Sequence, residues 1–219
     1  MSGLDKLEFV KPADIETRSF EIITRELGDK YIDPENELVV KRVIHTSADF
    51  EYADTLAFSE HATTIGVEAL KNGCSVVTDT KMAAAGINKR VLSRFGGEVY
   101  NFISDADVAD EAKERGLTRS AVCMERAAAL GKPLIYAVGN APTALVRLYE
   151  MLQAGEMDPL PTLIVGVPVG FVNVVESKEL ICELDVPSIV ARGRKGGSNV
   201  AAAIVNALLY LASNNERGY

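Results

Sequence analysis

Histidine and cysteine are scarce in this chain, and each scarcity closes off a class of chemistry. There are two histidines in 219 residues, His45 and His61. His61 follows Glu60 with no second histidine at helical spacing, so a metal centre lacks ligands. The three cysteines, Cys74, Cys123 and Cys182, are odd in number and far apart. They suit reduced thiols in buried elements, not a disulfide framework or a metal knot. No serine lies in a GxSxG elbow and neither histidine has an obvious cysteine partner, which leaves nucleophilic catalysis without support. Positive charge is not in excess either: the formal net charge of -8 argues against a nucleic-acid-binding face. No apolar run reaches the length of a membrane span, and the opening MSGLDKLEFV lacks the apolar core of a secretion signal. The expected compartment is the cytoplasm. Repeats, low-complexity segments and interdomain linkers are absent as well, so residues 1–219 read as a single domain with a well-filled core.

What is present is an alternation. Short apolar runs at Cys74–Thr78, Val99–Ile103, Leu134–Val138, Thr162–Val167 and Ser188–Ala191 are separated by stretches of helical character. Fully apolar strands divided by helices predict a three-layer α/β/α fold around a mainly parallel, doubly wound sheet of about five strands. Two helices precede the alternation. Lys11 to Gly28 opens with proline and closes with glycine, as a helix does. In Asp33 to Asp49, Asp33 is placed to cap a helix with Pro34 at its first position, and the pairs Val39–Val40 and Val43–Ile44 follow a 3.6-residue period. Phe50 to Phe58 reads as a short strand, with Ser59 capping the next helix.

In such sheets ligands bind beyond the carboxyl ends of the strands. Here those ends run into TDTKM, GNAPT, GVPVG and RGRKGGS. GRKGGS is not the phosphate loop G-x-x-x-x-G-K-S/T, and GVPVG lacks GxGxxG spacing. Both remain generic anion sites, because glycine lets backbone N–H groups approach an oxygen at a helix N-terminus. Arg192, Arg194 and Lys195 form a basic island in an acidic chain, which fits an anionic small molecule or a solvated turn. Asp79 ends a strand beside Lys81 and either contacts a ligand or shapes its own turn. His45 comes where the second helix gives way to Thr46, Ser47 and Asp49. An imidazole there is a proton donor favoured in its charged form by the helix carbonyls, or a group that merely bonds one of them.

Taken together and in order, ETRSF, RVIHTSADF, GNAPTAL, GVPVGFVNVVESKE and GRKGGS resemble the precorrin-8X methylmutase family and its cobalt-precorrin-8 counterpart, over about Lys11 to Ala212. The resemblance implies an isomerase of cobalamin biosynthesis. It would move a methyl group from carbon 11 to carbon 12 of a tetrapyrrole, giving hydrogenobyrinate, or cobyrinate where cobalt is present. It implies a homodimer with sites near the subunit interface, neighbouring pathway enzymes as candidate partners, and no cofactor, any cobalt being carried by the substrate. The family's catalytic histidine matches His45; His61 matches none. A many-acid substrate calls for cationic and N–H donors, and the candidates are Arg18, Ser19, Arg42, Lys81, Arg119, Arg192 and Lys195 with backbone N–H groups of Asn140, Ala141, Thr143 and Gly170; Thr46 and Asp79 are further candidates for substrate contact. Arg42 could equally be a solvated helix charge. A non-catalytic corrinoid carrier and a nucleotide-binding transferase are the competing functions.

Overall fold

The run Leu134–Val138 carries the alternation of a doubly covered strand. Leu134, Tyr136 and Val138 enter one apolar cluster while Ile135 and Ala137 enter another on the opposite face. The computed structural model describes residues 7–215. It forms one six-stranded sheet from β1 (Leu56–Phe58), β2 (Ser75–Thr78), β3 (Val99–Tyr100), β4 (Leu134–Val138), β5 (Leu163–Gly166) and β6 (Ser188–Ala191). The order is β1-β6-β5-β4-β2-β3, and every pairing is parallel except that of β1 with β6.

Eleven helices flank this sheet among the described residues. On one face lie α1 (Ile15–Leu27), α2 (Glu37–Ser47), α3 (Tyr52–Thr55), α4 (Ala62–Lys71), α5 (Lys81–Gly86), α6 (Lys89–Arg94) and the last, α11 (Ser198–Ala212). The other face is covered by α7 (Ala106–Arg115), α8 (Arg119–Ala128), α9 (Pro142–Gln153) and α10 (Val174–Cys182). Helix α11 is apolar nearly all round because the sheet lies on one side of it and α2, α4 and α5 on the others. Helix α2 therefore rides on α11.

The three-layer, mainly parallel architecture is the expected one, and four local expectations need correction. Asp33 does not cap α2. Its Oδ1 accepts the Glu35 N–H at 2.9 Å and its carbonyl accepts that of Asn36, so Asp33 and Pro34 make a turn and the helix starts later, at Glu37. Phe50 to Phe58 divides into helix α3 and strand β1, which adds an antiparallel sixth strand to the five expected. Ser59 is not a helix cap: its Oγ accepts the Ser188 N–H at 2.9 Å and fastens the end of β1 to β6. The helical stretch expected between the runs Cys74–Thr78 and Val99–Ile103 is broken at Ile87–Asn88, where Asn88 accepts the Val91 N–H and starts α6 afresh. The three cysteines are free thiols, with Cys74 and Cys123 buried. No helix among the described residues is long and apolar enough to cross a membrane.

Candidate active site

The loops leaving β2, β4, β5 and β6 gather at the carboxyl edge of the sheet and are packed too tightly for side chains at certain points. A Cβ on Gly196 would lie 2.2 Å from the Val167 carbonyl oxygen, and one on Gly139 would lie 2.7 Å from the Ser198 Cα. Only glycine permits those approaches. Two polar ties lock the arrangement further. Thr80 Oγ1 and Ser198 Oγ are 2.7 Å apart, joining the N-termini of α5 and α11. Asp79, 1% exposed, accepts the N–H groups of Gly139, Asn140 and Ala141 at 2.9, 2.8 and 2.7 Å. Burial pushes the Asp79 carboxyl up, and these three donors oppose that shift.

His45 stands in the last turn of α2, exposed to solvent. The segment that follows it is pulled to the carboxyl edge, since Lys195 pairs with Asp49 and Glu51 and the Arg192 N–H donates to the Thr55 carbonyl at 2.8 Å. Those carboxylates raise the Lys195 ammonium above its ordinary value, and Lys195 holds Asp49 below its own. The imidazole borders two grooves of about 270 Å³ each. One, between α1 and α2, is walled by Ser19, Ile22, Ile44 and Phe50. The other, between α2, α5 and α11, is walled by Thr46, Gly86, Asn199, Asn206 and Tyr210. A separate cavity of about 310 Å³ opens at the opposite edge of the sheet beside Cys74, Glu98 and Lys132. Burial pushes the Cys74 thiol up, away from the thiolate a nucleophile needs.

Of the residues singled out in the sequence, Ser19, Arg42 and Thr46 share the grooves with His45. Lys81, Arg119, Asn140 and Thr143 are exposed at or beside the carboxyl edge. Arg119 and Thr143 approach it from the opposite layer, where the Thr118 and Thr143 hydroxyls are 2.8 Å apart. Arg192 is exposed with Glu179 at 3.8 Å. The others are already engaged within the chain. Arg18 is paired with Glu8 and Glu21, which raise it further. The N–H groups of Asn140 and Ala141 belong to Asp79, and that of Gly170 donates to the Arg194 carbonyl at 3.2 Å. Asp79 and these three backbone donors therefore shape the edge and are not free to meet a ligand. Arg42 is not a solvated helix charge: it is 7% exposed and bound to Glu16 at 2.7 Å.

Two features escaped the sequence reading. The tip of the β5–α10 loop presents Phe171 and Val172 at 83% and 77% exposure, with the Arg194 guanidinium 5.6 Å from the Phe171 ring centroid. Apolar residues between Gly170 and Asn173, both turn formers, were the available signal. The second is Lys178, fully buried, whose ammonium donates to the Gly193 and Lys195 carbonyls at 2.8 Å each. Its periodicity with Val174, Ser177 and Ile181 marks the buried stripe of α10. Desolvation draws it down to about 8.

An exposed imidazole beside apolar grooves, on an edge with cations and loop donors, suits proton delivery to a large anionic molecule. The model of the precorrin-8X methylmutase family matches residues 14–211. The chain belongs to that family. Its members are isomerases that carry out the methyl shift of cobalamin biosynthesis. The cobalt-precorrin-8 methylmutase of Priestia megaterium is 44% identical over 94% of this chain and 90% of its own. That of Salmonella typhimurium is 46% identical over 91% and 95%. Among solved structures, the precorrin-8X methyl mutase of Thermus thermophilus superposes with a TM-score of 0.83 at 38% identity, covering 92% of this chain and 98% of that one.

Proposed function

We propose that this methylmutase moves a methyl group from carbon 11 to carbon 12 of precorrin-8X or its cobalt-bearing form, with His45 as general acid. The imidazolium gives a proton to the macrocycle, and the carbon receiving the methyl becomes electron-poor. The bond from the methyl to carbon 11 then breaks as the bond to carbon 12 forms. A ring proton returns to the imidazole, so substrate and product are isomers and the histidine is regenerated. A positioned acid contributes about 100-fold to 10,000-fold. The single observation that carries this reading is His45 itself: solvent-exposed, in the last turn of α2, and shared by two grooves.

The substrate's acidic arms are matched by Lys81, Arg119 and Arg192, with Ser19, Thr46, Thr143 and the side-chain amide of Asn140 as neutral donors. No cofactor enters the reaction, and cobalt, where present, arrives within the substrate. Each groove, at about 270 Å³, falls below the range of about 300–1,000 Å³ typical of sites for much smaller ligands. A second copy of the chain closing over the edge supplies the missing wall, which makes the working form a homodimer acting in the cytoplasm and passing product to the neighbouring enzymes of the pathway.

The test is to mix the purified protein with precorrin-8 and follow the absorbance spectrum as conjugation changes. Conversion is expected for the native chain and its loss for His45→Ala, with product binding retained. Near-normal turnover by that variant rules the role out. Binding without conversion by the native chain favours the carrier reading instead. Sedimentation at assay concentration checks the dimer.

A further inference from the structure

Helices α1 and α2 face each other through two pairs of side chains, Glu16 and Phe20 on one and Arg42 and His45 on the other. The spacings of four and three residues put each pair on a single strip of its helix. The Arg42 guanidinium carbon lies 4.7 Å from the Phe20 ring centroid and 5.1 Å from that of Tyr210 on α11. Phe20 in turn lies 5.6 Å from the His45 ring, the two planes inclined by 34°. Tyr210, Arg42, Phe20 and His45 thus form one continuous stack, tied at the guanidinium by Glu16 at 2.7 Å.

This is an expensive way to fill space. The Arg42 Nε is buried with no hydrogen-bond partner, and a charged group taken from water with an idle donor costs free energy that leucine or methionine would not. That nitrogen is shut off from solvent, although the side chain itself lines the groove between α2, α5 and α11. What a guanidinium supplies here is a flat, rigid face that an aliphatic chain or an ammonium lacks. Proton transfer demands a held geometry, and the Phe20 ring gives the imidazole a flat face to rest against.

We propose that Phe20 is a positioning residue for His45, clamped by Arg42 and Tyr210 so that its ring fixes the orientation of the imidazole. The proposal rests on the reading of His45 as the acid. It reassigns Arg42 from substrate contact to brace, and it predicts that the aromatic ring, not the volume, of Phe20 matters.

The experiment exploits the presence of two histidines. Ring-proton NMR signals of His45 and His61 are assigned from the spectrum of His45→Gln, and His61 serves as the internal reference. In Phe20→Leu the His45 signals are expected to move with the loss of the ring current while those of His61 stay in place. Turnover is expected to fall about tenfold or more with KM unchanged, since misplacement by about 1 Å can cost 100-fold. Phe20→Tyr is expected to restore both. Arg42→Met, made from the other helix, is expected to displace the same His45 signals and covers the case in which Phe20→Leu does not fold. Unmoved His45 signals, or turnover and KM changing in step, overturn the proposal. Moved signals with full turnover overturn its catalytic half. Activity retained in His45→Ala identifies instead a failure of the acid reading.

Discussion

Lys178 and Arg42 are buried cations on helices that cover opposite faces of the sheet, and they are held in opposite ways. Lys178 has two carbonyl dipoles and no carboxylate bound to its ammonium, and its pKa falls to about 8. Arg42 has a carboxylate, two aromatic faces and one idle donor. The compact ammonium pins a loop: the carbonyls it grips belong to Gly193 and Lys195, in the segment that carries the basic island. The planar guanidinium braces a ring. Each residue type is used for the shape of its charge, and exchanging them would forfeit both functions.

The comparison breaks most visibly at Lys178. Lys178→Ala leaves a cavity and two carbonyls without donors, and urea denaturation should show a loss of roughly 3–5 kcal/mol. Lys178→Met keeps the volume and removes the cost of burying a charge, so its loss should be smaller, about 1–2 kcal/mol. Arg42→Met should likewise cost about 1–2 kcal/mol, because Glu16, 27% exposed at its side chain, stays within reach of water. Turnover should fall further than this stability change explains.

A pH series sharpens the contrast. The folded-state value of Lys178 is lowered from 10.5 to about 8. Between those values the unfolded chain binds more protons at this site, so stability rises with pH there. The penalty for the buried charge is complete below about 8 and is relieved as pH climbs toward 10.5. The difference between the native chain and Lys178→Met in urea midpoint should follow that window. The smallest effect is expected at Lys195→Gln: its pairs with Asp49 and Glu51 are solvent-exposed, and no change in thermal midpoint should be resolved. A product titration monitored by absorbance is the measurement that would reveal any role of Lys195 in binding.

How much of this was legible in the sequence depended on how local the deciding interaction is. Strands β4 and β6 begin and end where their apolar runs do, because turn formers or a change of polarity close them on both sides. Strand β1 was not separable from α3 within FEYADTLAF, since what makes Leu56–Phe58 a strand is the edge of β6, more than a hundred residues away. Val99–Ile103 shrank to Val99–Tyr100 for the same reason, its extent being set by what β2 offers it. At the site, His45 was visible as a rare residue at a helix end. That the Asp79 carboxylate and the backbone N–H groups of Asn140 and Ala141 satisfy one another was not, because about 60 residues of chain lie between them. Lys178 was readable from helical spacing alone, but a lysine on an apolar stripe is easily counted as surface.

The reversed direction of β1 has a consequence for motion. The imidazole is delivered by the segment before the β–α alternation, and that segment is fastened to the sheet through three residue pairs at an edge, Leu56–Ala191, Ala57–Val190 and Phe58–Ile189. An outrigger moored at one rail can lift without capsizing the hull. Amide protons of Ala57 and its neighbours should exchange with deuterated water well before those of Ile135 and Ala137, while α2, buried against α11, keeps its protection and holds His45 in place.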